Sequence, residues 1–191
     1  MTENRAHTGE SREKRLKRFQ EGPPLEIIDT LTNSIHNFFN NELRTVFDNP
    51  RNPQTALMIL GTHAVALTIA HGLFNEHGER GYRRFLETFV DGGTPDTKFS
   101  KIASEIHEWR NVLAHRWLNV AGHEFGYDFD MEAGWRKDGD ATFLNPKIYL
   151  EYYLAAFGPH GKIYQIEDVL TTSEMLENAK NRFLSNYVDE A

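Results

Sequence analysis

Residues Phe99 to Trp117 read FSKIASEIHEWRNVLAHRW, and the spacing of their apolar members decides the fold class. On an ideal helix Phe99, Ile102, Ala103, Ile106, Trp109, Leu113 and Trp117 form one stripe, the pattern of a helix packed along one side on a core. Arg110 falls inside that stripe, about 40° from Ile106 at roughly 100° per residue. A guanidinium there must be paired, reach out to water or face a cleft, because an unpaired buried charge is very costly. His115 lies about 140° round from Arg110, whereas Asn111 and His115, four apart, share a face. An isolated Arg and His at such positions commonly have plain roles: the Arg in a salt bridge, the His complementing the helix dipole.

The same periodicity extends outward. From Leu25 to about Phe47, Ile27, Ile28, Leu31, Ile35, Phe38, Phe39, Leu43, Val46 and Phe47 recur at helical spacing. Asn52 as N-cap and Pro53 as first helical residue open a second helix to about Glu76, apolar almost all round and therefore central. A third helix is expected over about Glu79 to Val90, and Asp96 can cap the motif helix. Beyond it the pattern changes. Phe125, Tyr127, Phe129 and Met131 alternate with polar residues, and Asp138-Gly139 is a hairpin signal, so an antiparallel hairpin is expected between roughly 124 and 144. Asn145-Pro146 opens a fifth helix to Phe157, a short extended piece follows at Ile163 to Ile166, and a capping box over Thr171 to Glu174 announces a last helix to about Tyr187. The fold class is all-α: an antiparallel up-and-down bundle of four to six helices with a small β-hairpin insertion. Residues 25–191 make the domain, and residues 1–24, closed by Pro23-Pro24, make a basic, flexible tail.

Bulk properties narrow the function classes. With 191 residues the chain suits one domain that buries its own core. It has no cysteine, which excludes a disulfide framework, a thiolate zinc site and a cysteine nucleophile, and fits a reducing compartment. The N-terminus is polar and charged rather than apolar, and the longest apolar run, Ala64 to Ala70, is short for a bilayer. The cytoplasm is therefore the expected location, without membrane contact. A net charge of −7 argues against broad, non-specific nucleic-acid binding. The tail differs: six Lys/Arg against four Glu leave residues 1–24 at +2, so the remainder carries −9. That tail reads as a solvated leader, or as a basic arm for RNA or an acidic partner.

Trp109-Arg110-Asn111-Val112-Leu113-Ala114-His115, late in a helical chain, resembles the motif of the HEPN superfamily: an Arg, a polar residue that is often Asn, three further residues and a His. The resemblance spans about residues 25 to 157 and is similar to stand-alone HEPN domains of bacteria and mobile elements. It implies a metal-independent endoribonuclease without cofactor, working as a homodimer in which two motif helices face one cleft. The RNA 2′-hydroxyl would be the nucleophile, leaving a cyclic phosphate. Arg110 would pair with the scissile phosphate and stabilise its developing charge. His115 would exchange protons with the 2′- or 5′-oxygen. Asn111 would orient His115 or bond the phosphate. The divergence of Arg110 and His115 suits a dimer, where one protomer's Arg can complement the other's His. The resemblance also implies a toxin or phage-defence (abortive-infection) role, with an antitoxin or other regulatory partner. The other reading is a non-catalytic HEPN-like interaction module in which these side chains are structural.

The remaining polar features are weaker. Glu108 beside the motif is a candidate to neutralise or orient Arg110 or His115, and Arg83 and Arg84 are candidates to line an RNA cleft. Nine histidines invite a metal reading, but His63 and His71, like His107 and His115, stand eight apart, too far along a helix for one ion. His36, His63 and His71 therefore read as hydrogen-bonded core or interface histidines. Tyr149, Tyr152, Tyr153 and Phe157 read as core or interface rather than as a base-stacking platform.

Overall fold

The computed structural model describes residues 11–49, 54–115, 125–158 and 160–189; the side chains of His115 and of residues 187–189 also lie outside the described set. The chain is mainly helical, with one small three-stranded sheet. The expected caps Asn52 and Pro53, the stripe residue Trp117 and the expected hairpin boundary at 124 lie outside the described residues.

The first helix is a departure from expectation. Residues 1–24 were expected to form a tail, yet Arg12–Glu21 is helix α1, capped by the Ser11 hydroxyl, which accepts from Lys14 N at 3.3 Å. Its Phe19 is buried, and Lys180 from the far end of the chain donates to the carbonyls of Gln20 (2.9 Å) and Gly22 (2.7 Å). One aromatic anchor and a lysine on the open C-terminal carbonyls hold a segment that its charge alone would leave in water.

Helix α2 (Pro24–Phe38) starts with proline in its first turn, as fixed φ favours, and passes through a π-turn (Phe39–Leu43) into α3 (Arg44–Phe47). The buried positions Ile35, Phe39, Leu43 and Phe47 are four apart, a spacing that drifts off the face of a regular α-helix. The wider π-turn absorbs that drift and keeps all four inward. Helix α5 (Gly78–Phe85) does the same through Leu86–Val90, which keeps Tyr82, Leu86 and Val90 buried.

Helix α4 (Thr55–Phe74) lies between them and touches α3, α5 and three further helices. By length and composition alone α4 could cross a membrane, whereas its component run Ala64 to Ala70 could not; half of its most apolar window is buried against the rest of the chain. It stops at Asn75, which takes the left-handed conformation (φ 56°) and donates from its N–H to the His71 carbonyl at 3.0 Å. At Gly72 the helix meets the last helix, α8 (Ser173–Asp189), so closely that a Cβ would enter the Phe183 ring. Arg182 of α8 donates to the Gly72 and Leu73 carbonyls (2.8 and 2.9 Å), closing the end of α4.

The motif helix α6 (Ala103–His115) is not capped by Asp96 as expected. Asp96 sits inside a 3₁₀ turn (Pro95–Thr97), a second turn covers Phe99–Ile102, and only then does the α-helix begin. Asp91 holds this entry instead, accepting from Ser100 N (3.0 Å) and Ser100 Oγ (2.6 Å).

The expected hairpin is present only in part. Strands β2 (Trp135–Asp138) and β3 (Ala141–Leu144) pair antiparallel across a turn with Gly139 at φ 60°, a conformation suited to glycine. Strand β1 (Phe125–Tyr127), however, pairs parallel to β3, so the order is β1-β3-β2. The alternation from Phe125 to Met131 reads like one hairpin arm, but the chain leaves the ladder after Tyr127 because both β1 aromatics dock on Trp109 of α6. Phe125 stacks on that indole at 5.3 Å, and Tyr127 meets it edge-on at 4.8 Å.

Asn145 then caps α7 (Pro146–Phe157), accepting from Lys147 N and Ile148 N. Residues Lys162–Asp168 form a 3₁₀ turn rather than the expected extended piece, with Ile163 and Ile166 inward. Two apolar residues three apart fall on one side of a 3₁₀ turn, which two-residue alternation does not distinguish. At the start of α8 the cap is Thr172, whose hydroxyl accepts from Met175 N at 3.2 Å.

Gly72→Ala is expected to destabilise the protein by about 1–3 kcal/mol, since the added methyl group would enter the buried Phe183 ring and force it to shift. Urea midpoints should show the loss, and adding Phe183→Leu should recover part of it. An unchanged midpoint in Gly72→Ala would mean that α4 and α8 are not in close contact there.

Candidate active site

The stripe expected on α6 is buried as read: Phe99, Ile102, Ala103 and Ile106 are fully inward and Trp109 and Leu113 nearly so. Arg110 lies among them, partly buried. Its Nη1 donates to the Asn111 side-chain oxygen at 2.8 Å, while its Nε is buried and has no hydrogen-bond partner among the described residues. No carboxylate pairs with Arg110 among the described residues. A guanidinium in this condition keeps directional donors unspent where water is scarce, a state suited to an oxyanion.

The structure brings a second pair of residues to this helix face. His63 of α4 is completely buried, and its Nε2 lies 2.9 Å from Nδ1 of His107, which stands three residues before Arg110 on α6. The His63 ring also lies against Tyr82 of α5, centroid to centroid 4.4 Å. Burial, then the nearby Arg110 and His107, push the His63 pKa down to about 3. Burial and Arg110 lower that of His107 as well, with Glu79 acting the other way. Both imidazoles are therefore neutral at pH 7, and Arg110 carries the positive charge of the group.

The other expected site residues are placed as follows. His115 ends α6, but its side chain lies outside the described residues. Glu108 is exposed and bonds to no described residue, so it neither neutralises nor orients Arg110; Glu105, the neighbouring acid, pairs with Lys137 of β2 at 2.7 Å. Arg83 is committed within the chain, donating to the Ser100 carbonyl and to Glu79, each at 2.7 Å. Arg84 is exposed over the Phe74 ring and lines a cleft of about 280 Å³ with Arg182 and Glu76. A second cleft, about 290 Å³, is lined by Phe19, Ile27, Leu31 and Phe183 and takes no residue from α6. Tyr149, Tyr153 and Phe157 are fully buried, as expected of core aromatics, and Tyr152 packs edge-on to Phe99. Among the described residues no three His, Asp or Glu side chains gather into a metal-binding group.

Spacing along the chain sets His63 with His71 and His107 with His115, whereas the pair that forms is His63 with His107, across two helices. The available signal was His107 at three residues from Arg110, a spacing that places both on one face. Its partner on α4 could not be read, since contact between helices leaves no spacing in the chain.

The depressed His63 pKa has a measurable consequence. Above the unfolded value of about 6.5 neither state binds a proton at this ring. As pH falls from there toward 3, the unfolded chain takes up a proton that the folded protein refuses, and stability is lost. Wild type should therefore lose about 2 kcal/mol more than His63→Phe between pH 7 and pH 4.5, in denaturant midpoints measured side by side. Parallel curves would show that His63 is protonated in the folded protein. Comparison with known proteins adds no relative: no family model, no curated protein and no solved structure matches the chain.

Proposed function

We propose that the chain is an HEPN-like, metal-independent endoribonuclease acting as a homodimer, its helices arranged as an antiparallel up-and-down bundle. The observation that carries this reading is Arg110: a guanidinium on a packed helix face, its Nε buried and unpartnered, with no described carboxylate to neutralise it. Had Arg110 been locked to an acid within the chain, it would have a structural role and little left for a substrate. Instead its donors suit a phosphodiester, whose non-bridging oxygens gain charge as a fifth bond forms to phosphorus.

In this reaction the RNA 2′-oxygen attacks the adjacent phosphorus, the bond to the 5′-oxygen breaks, and a 2′,3′-cyclic phosphate results. One proton leaves the 2′-hydroxyl and one is delivered to the departing 5′-oxygen, work for which the His115 imidazole is suited. Asn111 acts on Arg110: by accepting from Nη1 it fixes the guanidinium plane. Arg84 rather than Arg83 is available to the RNA backbone, because Arg83 is occupied by Glu79 and Ser100. A toxin or phage-defence setting in the cytoplasm, with an antitoxin or other regulatory partner, follows from the family resemblance.

The test is purified protein incubated with cellular RNA in chelator. Wild type should release fragments with cyclic phosphate ends, and Arg110→Ala and His115→Ala should each lower the rate by about 100-fold or more. Asn111→Ala should cost less, since it removes only an orienting contact. RNA left equally intact by wild type and variants would favour the non-catalytic interaction module. Mixing the Arg110→Ala and His115→Ala chains then tests the dimer. If each site takes Arg110 from one protomer and His115 from the other, the mixed dimer holds one complete site and recovers activity. If each protomer is self-sufficient, mixing restores nothing.

A further inference from the structure

We propose that His107, its ring held by the buried His63, is a second donor beside Arg110 in a binding site for phosphoryl oxyanions contained within one chain. The inference rests on reading Arg110 as a phosphate-binding group, but not on cleavage.

His63 Nε2 and His107 Nδ1 are 2.9 Å apart and share one hydrogen. Both imidazoles are neutral, so each carries one N–H, and only two arrangements exist. If His107 Nδ1 donates, the hydrogen of His63 must sit on its Nδ1, which is buried and has no partner among the described residues. That leaves an orphaned N–H in the interior, among the rarer and costlier defects in a folded protein. If His63 Nε2 donates, the buried Nδ1 is a bare lone pair and no N–H is stranded. The second arrangement is favoured, and it dictates the tautomer of His107: its hydrogen is on Nε2, the nitrogen not engaged by His63.

His107 therefore presents an N–H donor from a partly buried position, one helical turn before Arg110 on the same face. Arg110 adds the positive charge, and its buried Nε has no hydrogen-bond partner among the described residues. The charged and titratable groups that the surrounding helices bring near are His63 from α4, Glu79 and Tyr82 from α5, and Arg110 itself. Glu79, the acid among them, is bonded to Arg83, and Tyr82 is bonded to Tyr149. Among the described residues no acid is left to occupy the donors of His107 and Arg110. Fixed N–H groups with one uncompensated positive charge fit a tetrahedral oxyanion, of which a phosphate group of RNA is one source. His63 is a positioning residue here: it sets the tautomer of His107 without meeting the ligand.

The full chain, labelled with ¹⁵N, is titrated with inorganic phosphate against chloride at matched ionic strength, and the histidine ring and Arg Nε signals are followed by NMR. Wild-type His107 should show the Nε2–H tautomer, and phosphate should shift both His107 and Arg110. His107→Phe should weaken phosphate binding roughly three- to tenfold, whereas His107→Gln, which keeps an N–H donor, should retain most of it. His63→Phe, which keeps a ring against Tyr82, should leave His107 as a mixture of tautomers. His107 found as the Nδ1–H tautomer, or phosphate shifting Arg110 alone with unchanged affinity in His107→Phe, overturns the proposal. The two readings fail separately. Phosphate bound through His107 with RNA left uncut retains the site and removes the nuclease; RNA cut with His107 silent to phosphate does the reverse.

Discussion

The hydrogen bond between His63 and His107 joins the long apolar helix α4 to the helix that carries the motif. At pH 7 it joins two neutral rings, because burial and the nearby Arg110 disfavour the charged form of each. Around it the interior is organised as a polar seam through an aromatic core. His63 lies against Tyr82, the Tyr82 hydroxyl bonds that of Tyr149, and Tyr149 donates to Tyr153 at 3.2 Å. Burial pushes the Tyr149 pKa up to about 12 and raises those of Tyr82 and Tyr153 well above the ordinary tyrosine value, so every member stays uncharged at neutral pH. The seam thus runs from α6 across α4 and α5 to α7 and carries one charge, that of Arg110, at its α6 end.

Several contacts remove the freedom of α6. Asp91 and Arg83 hold the Ser100 turn that leads into it. The β1 aromatics enclose Trp109, and Lys137 of β2 reaches Glu105. The sheet is small, but its place explains it: two of its strands act on the motif helix, β1 at Trp109 beside Arg110 and β2 at Glu105, five residues before it. A group that must meet a reacting phosphate gains from such restraint, since orientation fixed by folding need not be fixed again on binding. The same restraint accounts for Arg83, which looks like an RNA contact in the sequence and acts as a brace in the structure.

Most helices were legible because burial on one face leaves a period in the chain. The α4 and α7 spans, the α6 stripe and the Asn145-Pro146 start follow from that period and from capping chemistry. The misreadings have a common cause. Helix α1, the parallel strand β1 and the 3₁₀ turn at Lys162–Asp168 are each held by a distant partner: Lys180 for α1, Trp109 for β1, and the core for Ile163 and Ile166. Local pattern carries no record of a partner far along the chain.

The site divides in the same way. The sequence by itself determined that Arg110 would sit on a packed face with Asn111 beside it, because one helix and its 3.6-residue turn settle both. Only the tertiary structure decided that Arg110 lacks a described carboxylate partner, that Glu108 is exposed and bonds to no described residue, and that His107 is bonded to His63 from another helix. Those outcomes depend on which surfaces α4, α5 and α6 turn to one another, and that is fixed by the fit of side chains across the core rather than by spacing along any one of them.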